Sequence, residues 1–194
     1  MNAKNRIIIA ITGASGTPFA YSLLRRAILE PSIEQIFIIS SMVGRKCLLD
    51  ETGVDFSNLS KETKKICLID EQCFGAEISS GSAPHRGMVI IPCSAGTLGR
   101  IASGTSNNLI SRAADVCLKE RRPLILCIRE TPMNRIHINN MLNAHDAGAT
   151  IMPLLPTFYH HPTTIEDLCD AFATRILDQL GIFQEDSRRW KGEI

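Results

Sequence analysis

Short unbroken runs of aliphatic and β-branched residues alternate along this chain with segments whose apolar positions recur every three or four residues. The runs at 7–12, 35–40, 65–69, 88–92, 124–128 and 150–153 predict strands. The periodic segments at 18–30, 42–51, 95–102, 107–121, 134–147 and 164–180 predict helices. Strict alternation of this kind argues for an α/β domain, a mostly parallel sheet in a Rossmann-like three-layer α/β/α arrangement. Strands that read as continuous Ile, Val and Leu, rather than as apolar/polar alternation, are buried on both faces, which agrees. The pattern predicts one domain over 1–181, a Gly/Ser/Pro-rich loop at 74–86 and a peripheral tail at 182–194.

In an open parallel sheet, ligands bind beyond the carboxyl ends of the strands, so those ends carry the chemistry. The first strand ends in Gly13, Ala14, Ser15 and Gly16, a turn leading into a helix. Backbone amides and the positive end of a helix dipole suit a phosphate there. The turn is neither G-x-G-x-x-G nor a P-loop. The second strand ends in Ser40 and Ser41, where a dinucleotide site would place an acid for the ribose, so a mononucleotide fits better. The fourth ends in a second hydroxyl-rich turn, Ser94, Ala95, Gly96 and Thr97. Ser94 there has an alternative reading as a simple helix cap. The fifth ends in Arg129 and Glu130 ahead of a stiff Thr131-Pro132, and the sixth is followed by Phe158 and Tyr159. Arg112 and Lys119, seven residues apart, share a face of the fourth predicted helix. Ser80, Gly81 and Ser82 in the long loop offer hydroxyls and amides to a substrate phosphate.

Composition narrows the partners. A net charge of +1 and 5% aromatics give no general field or stacking surface for nucleic acid. No apolar run is long enough to span a membrane, and the start of the chain lacks a signal-peptide pattern. Seven scattered cysteines without a C-x-x-C read as reduced thiols of a cytoplasmic protein, with Cys93 a core residue. The five histidines have no ligand spacing, so no metal site is expected.

The motifs taken together, in order, are Gly13-Ala14-Ser15-Gly16, Ser80-Gly81-Ser82, Pro92-Cys93-Ser94 with Gly96-Thr97-Leu98, 107–110 with 112–116, 118–121, Arg129-Glu130-Thr131-Pro132 and Phe158-Tyr159. They closely resemble the UbiX-type flavin prenyltransferases over nearly the whole chain. The resemblance implies transfer of a dimethylallyl group from dimethylallyl monophosphate to reduced FMN. The product, prenylated FMN, serves a partner decarboxylase of the UbiD type. It also implies a homo-oligomer, usually a dodecamer, no metal, and a setting in ubiquinone biosynthesis. By position it places Gly13, Ala14, Ser15, Ser40, Ser94 to Thr97 and Arg129 on FMN, with Arg112 near the flavin. Lys119, Tyr159 and Arg175 grip the dimethylallyl phosphate beside Arg129 and Glu130, and Glu130 is the acid/base. Two departures stand out: Ser41 where relatives often carry Lys, and Phe74 where some place Trp. The acidic position late in the second helix is either Asp50 or Glu51. Two alternatives remain at this level. One is an FMN-dependent cysteine decarboxylase, since Thr131-Pro132-Met133-Asn134 resembles a segment of those enzymes; the other is a non-catalytic FMN carrier.

Overall fold

A computed structural model describes residues 5–184 and Gly192. Chain order is β1 (Arg6–Ile11), α1 (Thr17–Leu29), β2 (Gln35–Ser40), α2 (Met42–Thr52), α3 (Phe56–Glu62), β3 (Ile66–Asp70), β4 (Met88–Cys93), α4 (Ala95–Ala102), α5 (Leu109–Lys119), β5 (Leu124–Ile128), α6 (Arg135–Asp146), β6 (Thr150–Ile151) and α7 (Ile165–Gln179). The strands form one sheet in the order β3-β2-β1-β4-β5-β6. Every pairing in it is parallel. The chain winds outward from β1 to β3, then returns to the other side of β1 with β4. That reversal opens a crevice between the carboxyl ends of β1 and β4.

Successive side chains of a strand point to opposite faces, and β1 is buried at every residue because both faces are covered. Ile7, Ile9 and Ile11 pack with Leu23 and Leu24 of α1, Leu48 of α2, and Phe172, Ile176 and Leu177 of α7. Ile8 and Ala10 pack with Leu98 of α4, Leu109, Ala113 and Cys117 of α5, and Ala144 of α6. Burial pushes the Cys93 and Cys117 thiols up to about 12, so Cys93 is held as a protonated core thiol.

The helix starts follow from caps. Asn108 accepts from the Ser111 amide at 3.0 Å and Asn134 from the His137 amide at 2.9 Å, so α5 and α6 begin one residue later. The periodicity misses α3. It is seven residues long, capped by Asp55, and among its described side chains Phe56 and Leu59 pin it to the core. The 74–86 loop is ordered by the fold. A 3₁₀ turn at Glu77–Ser79 buries Ile78, and Arg122 donates to Gly81 O at 2.6 Å and Ala83 O at 2.7 Å. The expected tail starts with Ile182 inside the core and Gln184 donating to Glu30 at 2.9 Å. Residues 185–191 and 193–194 lie outside those described.

His85, near the end of this loop, is only 5% exposed. Burial first, then the Arg122 charge, lowers its pKa to about 4. An unfolded histidine binds its proton near pH 6.5, whereas the native one resists until about 4. Native stability is therefore full above pH 6.5 and declines as pH falls toward 4, by up to about 3 kcal/mol. Urea unfolding at pH 7.0 and 4.5 should show this decline in the wild type and a smaller one in His85→Phe. Equal declines would remove His85 as the cause.

Candidate functional site

The two hydroxyl-rich turns meet at the switch point. The Thr12 hydroxyl donates to Pro92 O at 2.8 Å and accepts from the Ser94 amide at 2.9 Å, so one buried side chain ties the end of β1 to the start of the β4–α4 turn. The start of α2 closes a third side. A Cβ on Gly44 would sit 2.5 Å from Ile11 O, so only glycine lets α2 pass this close to β1. Ser40 is buried, its hydroxyl donating to Ile11 O at 3.4 Å and Ser41 O at 3.1 Å. Ser41 caps α2 through the Gly44 amide at 3.0 Å, a structural task for the residue that replaces lysine.

The N-terminus of α1 already holds an anion. The Glu51 carboxylate accepts from the Gly16 amide (3.0 Å), the Thr17 amide (2.8 Å) and the Thr17 hydroxyl (2.7 Å). Burial raises its pKa, but the bonds from Thr17, Ser15 and the Gly16 amide outweigh that and hold it below the ordinary carboxylate value. The expectation of a phosphate cradle at Gly13–Gly16 is corrected by this finding. A phosphate there would meet a carboxylate and find the leading amides taken. What faces a ligand there is neutral: the Gly13–Ala14 backbone, whose Ala14 amide already donates to Thr12 O at 2.8 Å, and Ser15, bonded to Glu51. Between Asp50 and Glu51, it is Glu51 that reaches the site.

The second turn is different. Ser94 caps α4, accepting from the Thr97 amide at 3.4 Å, and its hydroxyl donates to the Thr97 hydroxyl at 3.1 Å. The cap reading of Ser94 therefore holds alongside any ligand role. The amides of Ala95 and Gly96 find no acceptor among the described residues. One turn on, Arg100 Nη2 donates to the Thr97 hydroxyl at 3.3 Å, and its buried Nε has no partner. Sequence reading passed over Thr12 and Arg100 and left Glu51 unassigned beside Asp50.

At the end of β5, the Arg129 amide donates to Cys93 O at 3.1 Å, which keeps this end beside the second turn. The Arg129 Cγ would lie 3.9 Å from a Cβ on Gly16, so its side chain runs over the first turn. Its Nε is buried without a hydrogen bond. Glu130 is half-buried and accepts from the Thr131 amide at 3.1 Å. Tyr159 stands on the segment after β6, which Leu154 anchors by donating its amide to Ile128 O at 3.0 Å. Its ring lies edge-on to His160 at 5.7 Å. Asn134, in the segment resembling the cysteine decarboxylases, spends its side chain capping α6.

The structure does not bring every expected residue to this edge. Lys119 ends α5, five residues before β5 begins, so it stands at the opposite edge of the sheet and pairs with Glu120 there. The length of β5, about 13 Å at 3.3 Å per residue, separates it from Glu130. Ser80, Gly81 and Ser82 lie with it: a Cβ on Gly81 would fall 2.5 Å from Lys119 Nζ, and the two serine hydroxyls bond at 2.9 Å. Arg112 is engaged with Ser79 O at 3.0 Å and Asp115 at 2.8 Å, away from the crevice. Arg175 is exposed, pairs with Asp178 at 3.3 Å, and sits five residues before Leu180. Leu180 packs at Gly87 next to the first residue of β4. Phe74 is exposed on the loop after β3.

Among the described residues, no three His, Cys, Asp or Glu side chains are placed to hold a metal ion. No helix is long and apolar enough to cross a membrane. The doubly wound sheet, with neutral donors and two arginines unpaired by any anion among the described residues around its switch point, defines a flavoprotein domain, and the family model of that description matches residues 1–179. The flavin prenyltransferase UbiX of Deinococcus radiodurans is 42% identical over 186 residues, covering 96% of this chain and 93% of that protein. The crystal structure of AnUbiX in complex with FMN and dimethylallyl pyrophosphate superposes with a TM-score of 0.86 at 38% identity, covering 98% of this chain and 100% of that one. A dodecameric FMN-dependent UbiX-like decarboxylase from Escherichia coli O157:H7 gives 0.90 at 35%, covering 96% and 100%. The chain belongs to the UbiX-type flavin prenyltransferases.

Proposed function

We propose that this protein transfers a dimethylallyl group from dimethylallyl monophosphate to reduced FMN, giving prenylated FMN for a UbiD-type decarboxylase in the cytoplasm. The observation that carries the reading is the pairing at the end of β5. Arg129 has a buried nitrogen without a partner, and beside it stands Glu130, a carboxylate that no cation of its own chain neutralises among the described residues. A cation short of an anion next to an available acid suits a phosphate that must leave and a proton that must move. FMN fits the crevice by the same test: the amides of Ala95 and Gly96 have no acceptor among the described residues, the Thr97 hydroxyl accepts from Ser94 and Arg100 and so keeps its own hydrogen to give, and the neutral turn at Gly13, Ala14 and Ser15 brings no charge against the ring.

The flavin supplies the nucleophile, N5, and the ring carbon that closes the new ring. The protein's residues do the rest. Ser15 and Ser40 bound the flavin crevice, and Glu51 fixes Ser15. Arg129 stabilises charge on the departing phosphate. Glu130 protonates the phosphate oxygen as the carbon–oxygen bond breaks and later takes the ring proton. Tyr159 donates a hydrogen bond to the same phosphate. Lys119 and Arg175 cannot join from the same chain, so they act in sites of neighbouring copies, with the Ser80–Ser82 loop beside Lys119. A homododecamer like the Escherichia coli relative supplies those copies. Exposed Met42, Val43, Leu155, Phe158 and Ile165 around the crevice provide apolar area for such contacts.

The test is direct. Protein incubated anaerobically with reduced FMN and dimethylallyl monophosphate should release a flavin heavier by one prenyl unit in mass spectrometry. FMN recovered unchanged from fully loaded protein would end the proposal.

A further inference from the structure

Arg100 is a cation without an anion. It forms no ion pair among the described residues, its one side-chain bond is to the neutral Thr97 hydroxyl at 3.3 Å, and its Nε is shut from solvent with no partner. A guanidinium does not shed its proton to escape such a position. A half-buried, under-bonded arginine is costly unless something from outside the chain completes it. Its surroundings specify what that is. Ser94, Thr97 and Arg100 occupy successive turns along one side of α4, and the Ala95 and Gly96 amides point out of the helix start beside them. Ser94 spends its hydroxyl on Thr97, which leaves the Thr97 hydroxyl, the two amides and the guanidinium as donors, and a tetrahedral oxyanion is the ligand that uses several donors and one full positive charge together. The first turn of the crevice has no room for the same ligand because Glu51 occupies it.

We propose that Arg100 holds the phosphate of FMN against the start of α4 and thereby selects FMN over riboflavin. The inference rests on the flavin prenyltransferase reading and deepens it by separating two phosphate positions. Arg100 serves the flavin's phosphate. Arg129, over the first turn, serves the phosphate that leaves.

Flavin fluorescence quenching on the oligomeric protein, with FMN and riboflavin as probes, tests this. In Arg100→Gln the dissociation constant for FMN should rise about 10- to 100-fold, the range for a lost charged hydrogen bond, while that for riboflavin stays within about twofold. Arg100→Lys keeps the charge without the fork and should fall between; it carries the comparison if the glutamine variant does not fold. Equal losses for both flavins, or no loss for FMN, would overturn the role of Arg100. The two readings fail separately. Wild-type protein that binds FMN but makes no prenylated flavin refutes the reaction and leaves the affinity comparison intact. Prenylated flavin from a wild type whose FMN affinity ignores Arg100→Gln refutes only the phosphate assignment.

Discussion

Glu130→Gln should lower turnover by about 10²- to 10⁴-fold, the usual span for loss of a general acid/base, with FMN affinity changed less than about threefold. The substitution is nearly isosteric. The glutamine carbonyl can still accept from the Thr131 amide, the one hydrogen bond of the carboxylate among the described residues, so the turn leaving β5 keeps its shape. What disappears is the capacity to give and take a proton beside Arg129. The reaction needs that capacity twice, when phosphate leaves and when the ring proton is removed, so one uncharged amide stalls both steps. Single-turnover assays with loaded FMN, read by flavin mass, separate chemistry from binding. Undiminished turnover would move the acid/base elsewhere, whereas a wild type that binds FMN and makes no prenylated flavin would be a carrier.

Lys119→Ala should be as damaging, about 10²- to 10³-fold, for loss of a cation from the phosphate clamp, although Lys119 lies a whole strand away from Glu130 in its own chain. The consequence is complementation. In a homo-oligomer each site would take Glu130 from one copy and Lys119 from another. Differently tagged Lys119→Ala and Glu130→Gln chains, co-expressed and isolated as mixed oligomers, should regain roughly one quarter of wild-type activity, because at random one site in four receives both intact residues. If the mixed oligomers are as inactive as either parent, Lys119 and Glu130 do not combine across copies. The apolar rim at Met42, Val43, Leu155 and Phe158 would then need another partner.

Elements with one dominant cause were legible in the sequence. β1, β2, β4 and β5 could be read because central parallel strands, covered on both faces, carry unbroken apolar runs. α3 could not, because two buried residues in seven give no usable period. Glu51 was hidden by its neighbour Asp50 until the phase of α2 was known. It lies three residues after Leu48 and seven after Gly44, on the side turned to β1 and α1, where its carboxylate reaches the Gly16 and Thr17 amides. Arg100 looked like one more charge on a helix. What distinguishes it is a buried Nε with no bond and no anion paired to it among the described residues, which is a statement about every residue that could have been near it.

The sequence by itself determined the class of fold, the order in which glycine, hydroxyl and Arg-Glu groups reach the carboxyl edge of the sheet, and the family. These follow from local periodicity, strand polarity and motif order, all of which are written along the chain. Only the tertiary structure decided which helix start is free for an anion, since the carboxylate filling the first comes from 35 residues away. It also decided which expected residues share an edge, placing Arg129, Glu130 and Tyr159 at one and Lys119 with the Ser80–Ser82 loop at the other. Burial, charge pairing and distance depend on all neighbours in space, and no local pattern carries that information.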